Sequence, residues 1–64
     1  MEHENTNERV VTVIEAADHL RLSKAMVYRL LEQGELPCIR IGRAVRFRVS
    51  SLNRWLDQRE TRPV

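Results

Sequence analysis

Only three residues, Arg21-Leu22-Ser23, separate two stretches of helical periodicity, and this junction constrains the fold more than any other feature. Ahead of it, "TVIEAADHL" places Thr12 three residues before Glu15, the spacing of a capping box. Val13, Ala16, Ala17 and Leu20 then recur at helical spacing, and the two alanines let another helix approach closely. Behind the junction, "RLSKAMVYRLLEQG" offers Ser23 as an N-cap, Val27, Leu30 and Leu31 as an apolar stripe, and Gly34 at the helix C-terminus. Two short helices joined this tightly make a helix-turn-helix. With the stripe turned inward, Lys24, Ala25, Tyr28 and Arg29 share the opposite face.

Pro37 blocks further helix, and "CIRIGRAVRFRV" follows. Ile39 and Ile41 alternate with Cys38 and Arg40; Val45, Phe47 and Val49 alternate with Arg46 and Arg48. Period-two alternation on both sides of Gly42-Arg43-Ala44 predicts a β-hairpin with one apolar face packed on the helices and one face rich in arginine, with Arg43 at the tip. Like charges across a two-stranded ribbon repel, and a polyanion opposite them makes the arrangement tolerable. In "SSLNRWLDQRE", Ser50 is a candidate cap, and Leu52, Trp55 and Leu56 at i, i+3, i+4 predict a third helix that lays the tryptophan across the core. The expected fold is mainly α with a small β-hairpin, a winged helix-turn-helix: two helices, a two-stranded wing and a third helix. Residues 1–9 are expected to be a disordered acidic tail, 10–59 the folded domain and 60–64 a frayed end.

Charge is distributed unevenly. Residues 1–20 carry a net −4, residues 21–48 a net +5 and residues 49–64 a net +1, which together make the formal +2 of the 64-residue chain. A basic middle behind an acidic start is the asymmetry expected of a nucleic-acid binder, with a chance imbalance on a solvated surface as the competing reading. All but one of the eleven basic residues are arginine, whose planar guanidinium binds phosphate and guanine in a bidentate way.

Other function classes find little support. Glu15 and Asp18 read as a cap and first-turn acids complementing the helix dipole, not as a catalytic pair. His3 belongs to the tail and His19 to a helix surface, so with one cysteine, Cys38, read as a packing residue, no zinc site is expected. No nucleophile–base arrangement or phosphate loop is present, so neither an enzyme nor a cofactor or small-molecule substrate is expected. No apolar run approaches the roughly 18 residues of a membrane span, and the polar N-terminus is unlike a signal peptide. A single cysteine cannot form an internal disulfide, which with the lack of a signal peptide fits a reducing cytoplasm.

The stretch from Thr12 to Leu56 resembles the excisionase family of small DNA-binding domains, which includes AlpA-like regulators and belongs to the wider MerR-like winged-helix group. The features that carry the resemblance are "EAA", "LSKAMVYRLLEQGELP", "RIGRAVRFR" and "SLNRWL". The resemblance implies double-stranded DNA as partner. Ser23, Lys24, Ala25, Tyr28 and Arg29 match the start and outer face of the family's recognition helix, and Arg40, Arg43, Arg46 and Arg48 match its wing. It also implies an integrase or recombinase partner, DNA bending beside an attachment site, and excision from a phage or mobile element. Self-association on DNA is expected because one helix and one wing make a small footprint. An AlpA-like transcriptional regulator with the same DNA mode is the alternative, and an adaptor that uses the hairpin edge to bind protein is an alternative of another class. One departure concerns the turn: the family often has glycine before the capping serine, where this chain has Arg21. A left-handed backbone there costs a non-glycine residue roughly 1–2 kcal/mol, and Arg21 is a candidate to recover some of it through a phosphate contact.

Overall fold

The computed structural model describes residues 8–61. The expected tail up to Asn7, with His3, and the end from Arg62 lie outside the described residues. The elements run β1 (Val10–Val11), α1 (Val13–Leu20), α2 (Lys24–Glu32), β2 (Ile39–Ile41), β3 (Ala44–Arg48) and α3 (Val49–Arg59). This is a winged helix-turn-helix: three helices and a small antiparallel sheet ordered β1-β3-β2.

The capping chemistry forms as the sequence predicts. The Glu15 N–H donates to Thr12 Oγ1 (3.2 Å), and the Thr12 N–H donates to Glu15 Oε1 (2.9 Å), which closes the capping box. Ser23 Oγ accepts from the Met26 N–H (3.1 Å). Both helices end on the same hydrogen-bond pattern, with N–H groups reaching back three and five residues. In α1 these are Arg21 to Asp18 (3.1 Å) and Leu22 to Ala17 (2.9 Å). In α2 they are Gly34 to Leu31 (3.0 Å) and Glu35 to Leu30 (2.9 Å). Such an ending needs a left-handed residue. Gly34 supplies it at φ 70°, and Arg21, the one non-glycine residue with positive φ among those described, at φ 59° and ψ 40°.

The core is a single cluster of Val11, Ala16, Ala17, Leu20, Val27, Leu36, Phe47, Val49 and Leu52. Val27 from α2, Phe47 from β3 and Leu52 from α3 are its largest fully buried side chains, so these three elements are fixed by one interior. Full burial of each such side chain contributes about 1.5–3 kcal/mol.

Three expectations are corrected. Strand β1 was not foreseen. It pairs with β3 through Val10–Arg48 and Val11–Phe47, so Val11 is buried and the sheet has three strands. Helix α3 begins at Val49, one residue before Ser50, and Arg48 at its N-cap makes no side-chain cap; the Val49 N–H donates instead to the Arg9 carbonyl (2.9 Å). Within α3, Leu52 is fully buried, Trp55 is half-buried against the core and Leu56 is exposed. The indole is anchored at the surface: its Nε1–H donates to the Glu35 carbonyl (2.8 Å), and the Arg59 guanidinium stacks 4.5 Å from the ring centroid while pairing with Glu35 (2.5 Å).

Candidate nucleic-acid interface

The outer face of α2 is assembled as its periodicity requires. Burial of Val27 at the centre of the helix turns Lys24, Ala25, Tyr28 and Arg29 to solvent. Ser23 stands exposed at the helix start, and its hydroxyl, already accepting from Met26, keeps its proton for donation. Arg21 lies two residues earlier, exposed, in the left-handed conformation that ends α1. Arg21, Ser23 and Lys24 are therefore consecutive polar groups around the N-terminus of α2. A helix N-terminus favours anions through its free N–H groups and dipole.

The wing departs from the expected arrangement. Its loop has two residues, Gly42 and Arg43, because Ile41 pairs with Ala44, Arg40 with Val45 and Ile39 with Arg46. Gly42 has positive φ (58°) and Arg43 does not, the pattern of a hairpin turn with glycine at the first central position. Directly paired residues share a sheet face. Ile39, Ile41, Ala44, Arg46 and Arg48 thus lie on one face, and Arg40, Val45 and Phe47 on the other. Burial agrees: Phe47 is in the core and Val45 packs on it, whereas Ile41 is 63% exposed. The four arginines do not form one face, and the two isoleucines do not cover the core. A three-residue loop would have aligned the apolar residues, and the one-residue difference in register moves one strand's pattern to the opposite face.

The arginines also differ in what they touch. Arg43 is exposed in the turn, and Arg40 is exposed on β2. Arg46 is half-buried and donates from Nη1 to the Val45 carbonyl (2.8 Å). Arg48 pairs with Glu8 (3.4 Å), a contact that depends on β1 bringing the N-terminal segment alongside β3. Arg46 and Arg9 also act on Glu15 at long range. Its carboxyl is held below the usual value chiefly by the Thr12 backbone N–H; desolvation, the next-largest effect, opposes this, and the Thr12 hydroxyl and the two guanidinium charges add smaller lowering contributions. Among the described residues, the ion pairs are Arg48–Glu8 and Arg59–Glu35, so the cations at the turn, on the outer face of α2 and at the wing tip are not engaged in one. Glu8 could not be found as a partner from sequence, because nothing local announces a two-residue strand.

Among the described residues, no group of three or more metal-ligating side chains comes together, and no helix is long and apolar enough to cross a membrane.

Comparisons with known proteins agree with this geometry. A family model for the helix-turn-helix domain matches residues 10–60, from the first strand to the end of α3. Two proteins named "Putative DNA-binding protein", from two strains of Mycobacterium tuberculosis, are each 37% identical to this chain over 57 residues, covering 89% of it and 73% of their own length. No solved structure matches. With the helix-turn-helix model spanning nearly the whole described chain, and the wing and turn laid out as above, this protein belongs to the excisionase and AlpA-like family of small helix-turn-helix DNA-binding domains.

Proposed function

We propose that this protein is a sequence-specific DNA-binding factor of the excisionase type, which binds and bends DNA beside an attachment site and biases an integrase toward excision. The carrying observation is that Arg21 and Lys24 stand exposed around the N-terminus of α2, Arg29 in its last turn and Arg43 at the tip of the wing, on elements that share one core. In this reading α2 lies in the major groove, with Arg29, Tyr28 and Ala25 toward base edges. Ser23, Lys24 and Arg21 hold phosphates that fix its register. Arg43 and Arg40 lie on the neighbouring backbone or in a narrow minor groove. Arg46 and Arg48 belong to the wing's root: Arg46 stays on its carbonyl, and Arg48 reaches DNA by exchanging Glu8 for phosphate. Small footprint favours paired or tandem binding on adjacent sites.

The test has two stages. Selection of duplexes from a random pool, followed by footprinting on DNA flanking the gene, should give a short preferred site that recurs near an integrase attachment site. A recombination reaction containing that integrase should then yield more excised product when the chain is present. Binding at a promoter with no effect on excision would reassign the protein to transcriptional regulation. No preferred duplex at all would reject DNA recognition.

A further inference from the structure

The segment joining α2 to β2, Gly34-Glu35-Leu36-Pro37-Cys38, is pinned to α3 at several points. Leu36 is buried in the core. The Glu35 carbonyl accepts the Trp55 indole N–H (2.8 Å), and its carboxylate pairs with Arg59 (2.5 Å). Arg59 lies in turn over the Trp55 ring at 4.5 Å. Backbone, carboxylate, guanidinium and indole therefore form a closed set of three contacts, in which each of the three residues touches the other two. The segment they hold is the only direct covalent link between α2 and the wing.

On the reading that α2 and the wing are the two DNA-contacting elements, we propose that Glu35, Trp55 and Arg59 are positioning residues for DNA recognition: they set the offset between α2 and the wing without touching DNA. Two contacts made by one rigid body reinforce each other, because the second binds at an effective concentration fixed by the geometry between them. A loosened linker leaves each contact chemically intact but lowers that reinforcement. The selected duplex suffers most, because it requires α2 and the wing at one fixed offset. A random duplex, held through phosphates at no fixed register, suffers little.

The paired variants Glu35→Gln and Arg59→Gln separate this from electrostatics. Both break the ion pair, but one raises and the other lowers the net charge. Affinities are measured for the duplex that the wild-type chain enriches from a random pool and for a scrambled duplex, with a thermal melt of each variant. The proposal expects both variants to lose about tenfold on the selected duplex and less than about twofold on the scrambled one, the size expected for partial loss of reinforcement between linked contacts. The charge-swapped double variant Glu35→Arg, Arg59→Glu, which restores the ion pair but not the guanidinium over the Trp55 ring, should recover part of that loss. Tighter binding by Glu35→Gln with weaker binding by Arg59→Gln would overturn the proposal in favour of simple charge effects. Equal losses on both duplexes would overturn it in favour of general destabilisation. Arg29→Ala and Arg43→Ala are the separate control: if neither weakens binding to the selected duplex, the assignment of α2 and the wing to DNA fails, whatever the clamp variants do.

Discussion

Helices α1 and α2 are of similar length and share one core, yet their ends are built to opposite standards. Helix α1 starts well, with a complete capping box and Glu15 in its first turn, and ends badly, with an arginine forced into the left-handed region. Helix α2 differs at both ends, although Ser23 caps its start. It ends on Gly34, which adopts that region freely, and starts with no acid in its first turn and Lys24 at the position where the dipole favours a negative charge. The two locally unfavourable choices, Arg21 and Lys24, are both cations and sit three residues apart in the same turn. Violations of local rules concentrate where function needs them. A bound phosphate would relieve both, by pairing with the two charges and by receiving the free N–H groups of α2. The difference between the helices thus points to the turn, more sharply than total charge does.

The largest effect on stability should come from removing the good helix end. Gly34→Ala forces a Cβ into the left-handed region at a place where it meets no atom within 4 Å, so the cost is purely conformational. The left-handed cost of about 1–2 kcal/mol, less the roughly 0.5–1 kcal/mol by which alanine lowers the entropy of the unfolded chain, leaves a net loss of about 1 kcal/mol. At this chain size each kcal/mol lowers the melting temperature by about 4–8 °C. A melt unchanged from wild type would mean that the two helix ends are equivalent and the comparison empty.

The complementary change, Arg21→Gly, should stabilise. The relief of about 1–2 kcal/mol is partly offset by the roughly 0.5–1 kcal/mol that a glycine adds to the entropy of the unfolded chain. DNA affinity should fall in the same variant, and the slope of log affinity against log salt should become shallower by about 0.9, one phosphate contact. A stabilised variant with unchanged DNA binding would leave the strain at Arg21 without a purpose.

Lys24→Glu sharpens the comparison further, because its two effects should carry opposite signs. The new acid complements the dipole of α2 and adds about 0.3–1 kcal/mol. Binding to any duplex should weaken, since a phosphate contact becomes a repulsion. Chemical denaturation and a salt titration of binding measure the two effects on one preparation.

The smallest effect concerns the well-made start of α1. Because the folded state holds the Glu15 carboxyl below its ordinary 4.5, the stability it contributes is fully present above that value and is lost as pH falls through the lower folded-state value. Glu15→Gln should therefore be less stable than wild type near neutrality, and the gap should close in acid. A pH series of melts that runs parallel for the two proteins would remove the capping box as a titrating contribution.

Helices and caps were legible in the sequence because their signals are local. Thr12 with Glu15, Ser23, and Gly34 each act within one turn, and periodicity sorted Val27 from Arg29 without knowledge of the fold. The strained turn at Arg21 was legible as a condition, and the backbone there is left-handed in the structure. The wing was legible as a hairpin but not in its facing, because both faces of Cys38–Val49 mix apolar and charged residues. The choice between a two-residue and a three-residue loop then decides which arginines stand together. Strand β1 was not legible at all: Val10 and Val11 form a strand only because β3 lies beside them. The Arg48–Glu8 pair inherits that invisibility. Trp55 has helical spacing compatible with the core, but its indole N–H needs an acceptor, and Glu35 supplies one at the surface.

The ladder between β1 and β3 has a bearing on how the molecule assembles. Helix pair and hairpin are built from neighbours in sequence, whereas Val10 must find Arg48 across nearly the whole domain. Closing that long loop costs entropy before any of its contacts form, and such long-range pairings slow folding. The pairing of β1 with β3 should therefore be among the last contacts to form, and the edge of β3 is bare until it does. Arrival of the N-terminal strand covers that edge, seats Val11 in the core and supplies the Arg9 carbonyl that starts α3. The ladder made by this two-residue strand is short, and hydrogen exchange should find its amides among the first to reopen.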